Sequence, residues 1–375
     1  MRHNESKSLL VLLLGLMTFL PAGAANPPFQ AGKVAPAAAG ATPSHAPALH
    51  ILSDTALEEA FRFAQDVRWA SDHSVVLALV RSGIVEYNLD GKTPPKQLIP
   101  GNNTPGGFSH TQEVAISSQY LAAGAWIKSI TWRTLDSAIR KEEAFECIDD
   151  LDISGGRFAL VGARRDSQGK FSPDGAIAWI GSLDKDLTDL KPLLFDAGGS
   201  GAPTMGACCS FFLGATRFLA DGSLVVIPGV QPGIYHFDSK GKLLQTSDTV
   251  ALGVDTDCAG IGKQQASVLA RDSSSLMAWV NERRTVDDVL PLPAGPGLLI
   301  RSVQQGQVRW VLKVLHPDGS VRVYDVPVKA PNLFAHLKGD LRQGRLVLLL
   351  WGNPPVRNPD LIPPPHLLIA LPPAS

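Results

Sequence analysis

The stretch from Val67 to Pro100 sets the pattern of the chain. VRWAS, SVVLALV, GIVEYNLD and KQLIP are short apolar or alternating segments, separated by Ser-Asp-His, Arg-Ser-Gly and Asp-Gly-Lys-Thr-Pro-Pro. Segments of this length bounded by turn residues predict four β-strands joined as a meander. The middle strands are nearly continuous apolar runs, which suits strands buried on both faces, while the third alternates in part. A lone meander cannot bury both its faces, so the pattern has to recur if the chain is to fold.

It recurs, and the third strands mark the period. They are anchored at Ile84 in GIVEYNLD, Ile130 in SITWRTLD, Ile177 in AIAWIGSLD, Ile234 in GIYHFD, Met277 in LMAWVN, Val321 in SVRVYD and Leu367 in HLLIAL, with successive spacings of 46, 47, 57, 43, 44 and 46 residues. A period in the forties with about four strands per unit predicts a β-propeller, in which each blade packs its faces on its neighbours. The final unit, LFAHL, RLVLLLWG and HLLIAL, is one strand short, and ALHILS at residues 48–53 stands alone before the first. The expected fold is therefore all-β: a single propeller over residues 48–375, with seven four-stranded blades closed by an N-terminal strand.

The ends carry their own signals. Arg2 and Lys7 precede an apolar run from Leu9 to Leu20, and Pro21-Ala22-Gly23-Ala24 supplies a small-residue cleavage pattern. Residues 1–24 read as a signal peptide, with no later apolar run long enough to span a membrane. Residues 25–47 are Pro- and Ala-rich and offer little to bury, as expected of a disordered leader. The mature protein is expected to be periplasmic or secreted, and a monomer. Charged residues are 18% of the chain and the net charge is -1, which gives no field for nucleic acid or acidic lipid.

Three loops stand out: Arg164 to Gly175, Ala197 to Ala215, and the Pro-rich Asn353 to Pro365. Connections between blades, and hairpins joining second to third strands, emerge on one face of a propeller. Long loops on a rigid scaffold are where binding tends to sit. The text VRWASDHSVVLALVRSGIVEYNLDG, with FSPDGAIAW and LHPDGSVRVYD, resembles the repeats of WD40-like and TolB-like β-propellers over most of residues 66–372. Ser172-Pro173-Asp174-Gly175 is the full match to their turn motif, although it precedes a third strand where the family places it before a second. The resemblance implies a binding platform, while related propellers include lactonases, sialidases and quinone-dependent dehydrogenases; fold alone does not choose among these.

Cys147, Cys208, Cys209 and Cys258 make an even number in a chain with an export signal, so disulfides are the default. On the repeat map all four lie in connections on one face. Pairing Cys147 and Cys258 each with one member of the doublet needs only neighbouring loops to meet, whereas a vicinal bond makes a strained eight-membered ring. A metal site using Asp149, Asp150, Asp255 and Asp257 is the alternative, and Ca²⁺ is the cation that carboxylate oxygens would favour, though no cofactor is required. The chain lacks a G-x-S-x-G elbow, an H-E-x-x-H pair and a phosphate-binding glycine loop.

First strands line the central channel, which places His110 and Glu113 at the start of the second blade and Asp149, Asp150 and Asp152 at the start of the third. Asp at strand starts more often caps turns. Trp126, Trp132, Trp179 and Trp279 read as packing between blades. Two functional classes stay open. One is a binding or scaffold module for a protein or glycan, acting through the loop-rich, Cys-bearing face. The other is a hydrolase or lyase using His110, Glu113, Asp149 and Asp150 as acid, base or metal ligands in the funnel.

Overall fold

A computed structural model describes residues 46–101, 111–125, 129–135, 141–143, 145–164, 175–183, 189–195, 214–229, 231–255, 278–352 and 362–373. The strands, in chain order, are β1 (His50–Ala56); β2 (Ala64–Trp69), β3 (Ser74–Leu79), β4 (Gly83–Asn88) and β5 (Lys96–Pro100); β6 (Thr111–Ile116), β7 (Tyr120–Ala125), β8 (Ser129–Thr134) and β9 (Lys141–Glu143). Next come β10 (Phe145–Ser154), β11 (Arg157–Arg164), β12 (Ala176–Ser182) and β13 (Lys191–Phe195); β14 (Ala215–Phe218), β15 (Leu224–Ile227), β16 (Ile234–Phe237) and β17 (Leu243–Ser247). The last are β18 (Thr285–Leu292), β19 (Gly295–Gln304), β20 (Gln307–Leu315) and β21 (Val321–Val326); β22 (Ala335–Arg342), β23 (Arg345–Gly352) and β24 (His366–Leu371).

Among the described residues these strands form six four-stranded antiparallel sheets: β2–β5, β6–β9, β10–β13, β14–β17, β18–β21, and β22–β24 with β1 on its outside. The inner strands β2, β6, β10, β14, β18 and β22 each touch the next in that order, and β22 touches β2, so the sheets form a ring. Period-two alternation explains how one run serves two neighbours. Val75, Leu77 and Leu79 of β3 pack against Val347 and Leu349 of the sixth sheet, while Val76 and Ala78 pack against Val114 and Leu121 of the second. The remaining four seams have their own apolar clusters, with Trp132 and Trp179 between the second and third sheets and Trp279 between the third and fourth. The SVVLALV and RLVLLLW runs are continuous because both of their faces are seams.

The expectation of seven blades closed by an N-terminal strand is corrected to six. Ile84, Ile130, Ile177, Ile234 and Leu367 do lie in the third strands of their sheets, β4, β8, β12, β16 and β24. Val321 instead begins β21, the outer strand of the fifth sheet, and residues 278–281, just after Met277, form a helical turn. A period count is misled because 37 residues, 248–284, separate β17 from β18, most of the length of a further repeat, and the described residues among them hold no strand. Two expected blades there are one. At the ends of the chain, β1 pairs antiparallel with β24, from His50 opposite Leu371 to Ala56 opposite His366. The ring itself is completed by packing, β2 against β22 and β23. No helix among the described residues is long and apolar enough to cross a membrane.

Candidate functional site

The inner strands carry a recurring signature. Gln65-Asp66-Val67, Gln112-Glu113-Val114, Asp149-Asp150-Leu151 and Asp287-Asp288-Val289 each place an acid in the middle of its strand. In all four the register of the inner strand slips immediately before that acid. A bulge re-aims the side chain that follows it, here out of the ladder and toward the neighbouring blade.

Most of these carboxylates are committed to backbone. The Asp66 Oδ2 accepts the N–H of Val114 at 2.9 Å, Asp150 Oδ2 that of Thr216 at 2.8 Å, and Asp288 Oδ2 that of Gly339 at 2.7 Å. Asp152 accepts from Phe218 N–H at 2.8 Å, Asp287 from Leu337 at 3.0 Å and Asp340 from Trp69 at 2.9 Å. Each of these bonds runs from one blade to the inner strand of the next. They satisfy backbone donors on inner strands, each of which stands at the edge of its own sheet, and buried N–H groups require such partners.

Three buried cations sit among the acids. Arg68 pairs with Asp66 and lies 3.5 Å from Asp150; Arg217 bonds Asp288 at 2.8 Å and approaches Asp152 at 3.7 Å. Lys338 Nζ lies 3.6 Å from Glu113 Oε2 and 3.9 Å from Asp150 Oδ1. Asp66, Glu113, Asp149, Asp150, Asp152 and Asp288 are all buried, so acids outnumber these bases. Burial pushes the Glu113 and Asp149 carboxyls well above the usual range, Lys338 notwithstanding. Burial likewise raises Asp152 to about 6 against the pull of Arg217. For Asp288 the burial cost is outweighed by Arg217, Arg68 and Lys338, which hold it below the usual range. Burial thus favours the neutral form at Glu113, Asp149 and Asp152, while Arg68, Arg217 and Lys338 favour the charged one, and the centre is a buried hub of acids and bases.

Of the residues singled out from sequence, Glu113, Asp149 and Asp150 are brought to this hub beside Lys338. Asp255 is not: it forms a partly exposed pair with Arg284 at 3.1 Å. His110, Asp257, Cys208, Cys209 and Cys258 lie outside the described residues, and Cys147 falls within β10 without a described side chain, so the disulfide pairing stands outside this description. The same holds for most of the three long loops, 165–174, 197–213 and 353–361. Among the described residues no group of three or more His, Cys, Asp or Glu side chains could hold a metal ion. Where a cation would bridge Glu113 and Asp150, the Lys338 ammonium already stands.

Sequence reasoning missed Asp66, Arg68, Arg217, Asp288 and Lys338, although the repeated acid in four inner strands was a readable signal. It also missed a dyad near the start of β22. His336 Nδ1 lies 3.1 Å from Asp287 Oδ1 and its ring stacks on Trp351 at 4.9 Å, while the other Asp287 oxygen accepts from Trp310 Nε1 at 2.7 Å. At the opposite ends of the inner strands, the channel opens into a cavity of about 340 Å³ lined by Arg68, Asp152, Arg217, Asp340, Arg342 and Gln343. A groove of about 520 Å³ lies beside β20 and β21, and Trp310, the donor to Asp287, is among its lining residues.

No protein-family profile matches this chain, and no curated protein does. Among solved structures, a member of the DUF4221 family from Bacteroides vulgatus is similar over 86% of this chain and 97% of its own, with a TM-score of 0.51 at 10% identity. Virginiamycin B lyase from Staphylococcus aureus is similar over 85% and 98%, with a TM-score of 0.43 at 11% identity, and YCF48 bound to D1 peptide over 87% and 99%, with 0.40 at 13%. At such identities the likeness concerns fold alone. With its ring of four-stranded sheets, the chain is a β-propeller.

Proposed function

We propose that this chain is an exported binding or scaffold propeller that engages a protein or glycan through its loop-rich, Cys-bearing face. One observation carries the reading: the funnel carboxylates, which an enzyme would turn toward a substrate, are spent on the backbone N–H groups of neighbouring blades and on Arg68, Arg217 and Lys338. A ring held together from its centre is a rigid platform, and its variable chemistry lies in the loops. Export rests on the signal at residues 1–24, with 25–47 as a spacer ahead of the propeller. The test is to shorten loops 165–174, 197–213 and 353–361 in the mature chain and to compare thermal unfolding with binding to a glycan panel and to proteins of the cell exterior. Unchanged unfolding with lost binding supports the reading; binding that survives all three deletions overturns it.

A second reading, a hydrolase or lyase, is favoured by the His336–Asp287 dyad. A carboxylate on Nδ1 fixes the imidazole tautomer and leaves Nε2 as the basic nitrogen, and the ring is partly exposed. Turnover of a panel of esters, lactones and uronides that disappears in His336→Ala would establish it; no turnover of any member in the wild-type chain would count against it.

A further inference from the structure

The six sheets differ in how their outer edges are defended. An outer strand presents unpaired N–H and C=O groups, and soluble proteins guard such edges with charge or proline. β5 carries Lys96 and Pro100, β13 carries Lys191 and Pro192, β21 carries Arg322 and Asp325, and β1 carries Asp54. β9 reads Lys-Glu-Glu. β17 reads Leu-Leu-Gln-Thr-Ser, with neither charge nor proline. Its leucines, Leu243 and Leu244, are 46% and 52% exposed. The β21 edge is partly covered as well, because Asp325 pairs with the backbone of Pro47 and Leu49.

We infer that the β17 edge is a self-association surface, on which a second copy of this chain adds β17 antiparallel to β17. The flanking charges favour a second copy. With the twofold axis at Gln245, Leu243 stands opposite Ser247 of the other copy, Leu244 opposite Thr246, and Lys242 opposite Asp248. Lys242 and Asp248 are both exposed and bracket the strand with opposite signs, so the antiparallel arrangement matches them twice, once on each side of the axis. A parallel arrangement would set like against like. The same twofold operation on β9 would set Glu142 against its own copy on the axis, like charge against like, and on β13 it would lose a donor at Pro192. An isologous contact of this kind closes on itself, giving a dimer rather than a filament. A five-residue edge buries less than the roughly 1,600 Å² of a standard interface, so the dimer is concentration-dependent. This departs from the monomer that the sequence alone leads one to expect, and it is independent of the binding face proposed above.

Sedimentation equilibrium of the full mature chain over a wide concentration range tests it. The wild-type chain should follow a monomer–dimer equilibrium. Gln245→Lys, on an exposed edge where folding is not at stake, sets two ammonium groups against each other on the axis and should leave a monomer. Lys242→Glu should weaken association about tenfold, and the double exchange Lys242→Glu with Asp248→Lys should restore it. Overturning results are a wild-type monomer throughout, as expected if the edge serves a strand of another protein, a dimer untouched by Gln245→Lys, or a double exchange that fails to restore association.

Discussion

The Asp66 carboxylate accepts the backbone N–H of Val114 at 2.9 Å, across the seam between the first and second sheets. Its other oxygen holds Arg68 and the N–H of Val67. One side chain therefore satisfies a neighbouring blade, the turn of its own bulge and a buried guanidinium. Asp66→Ala should cost about 3–5 kcal/mol, the usual loss when one partner of a buried pair is removed. Asp66→Asn keeps an acceptor oxygen for one N–H and should cost less. Urea unfolding at pH 7 would check the order, and an alanine variant within about 0.5 kcal/mol of wild type would show that the seam does not depend on this staple.

Acidity should act through Asp152, whose carboxyl is raised from the ordinary 3.8 to about 6. A carboxyl raised on folding contributes stability that is fully present below its unfolded value and is lost as pH rises through the folded one. Stability should therefore fall between about pH 4 and pH 6, by up to about 3 kcal/mol from this group. Glu113 and Asp149, which burial also raises, act in the same sense. Asp288, held low, acts in the opposite sense, and its contribution disappears as pH drops below about 4. Asp152→Asn should flatten the pH 4–6 limb of a stability-versus-pH curve; an unchanged slope would assign the limb to other groups.

The fold class was legible because seam packing writes itself into the sequence: β3 and β23 feed clusters on both faces, so their apolar runs are unbroken. The blade count was not legible. The 37 residues between β17 and β18 leave room for most of a repeat that the described residues there do not form, and the alternation of Val321, Val323 and Asp325 reads the same in an outer strand as in a third. Glu113, Asp149 and Asp150 were visible as acids at inner strands, but their role was not, because it depends on a register slip and on Lys338, which stands 188 residues beyond Asp150. Arg217 pairs with Asp288 from another blade in the same way. Partners that meet only once the ring has formed leave no local trace.

Close packing makes Gly339 a sensitive position. A Cβ there would stand 2.6 Å from Leu348 Cδ2, 2.8 Å from the Val347 carbonyl oxygen and 3.2 Å from Leu290 Cδ2. Both a side chain of its own sheet and one of the fifth sheet would have to move, and the N–H bond to Asp288 would move with the strand. Gly339→Ala should destabilise by about 1–3 kcal/mol. Gly306→Ala is the contrast: nothing lies within 4 Å of its Cβ position, and its φ of +73° supplies the only penalty. Thermal unfolding of the two variants would check the difference; equal losses would mean that the seam yields to one methyl group.

Lys338 and Glu113 decide how the hub carries its charge. Burial favours the neutral acid at Glu113, whereas Lys338, at 3.6 Å, favours the carboxylate. If the acid is neutral at pH 7, the Lys338 charge serves Asp150 and the other ionised carboxylates, and Glu113→Gln reproduces both shape and charge at nearly no cost. Lys338→Met then costs about 3 kcal/mol, because Asp150 loses one of its two cations. The double variant should equal the sum of the singles within about 0.5 kcal/mol. If Glu113 is ionised, the arithmetic changes: Lys338→Met strands two carboxylates, Glu113→Gln relieves one of them, and the double variant becomes more stable than Lys338→Met alone by 1 kcal/mol or more, on the order of a buried charge-assisted bond. The raised acidity range of Glu113 favours the additive result. Urea unfolding of the four chains at pH 7 distinguishes the two, and a double variant clearly more stable than Lys338→Met would show that the hub holds its charges as pairs rather than as protons.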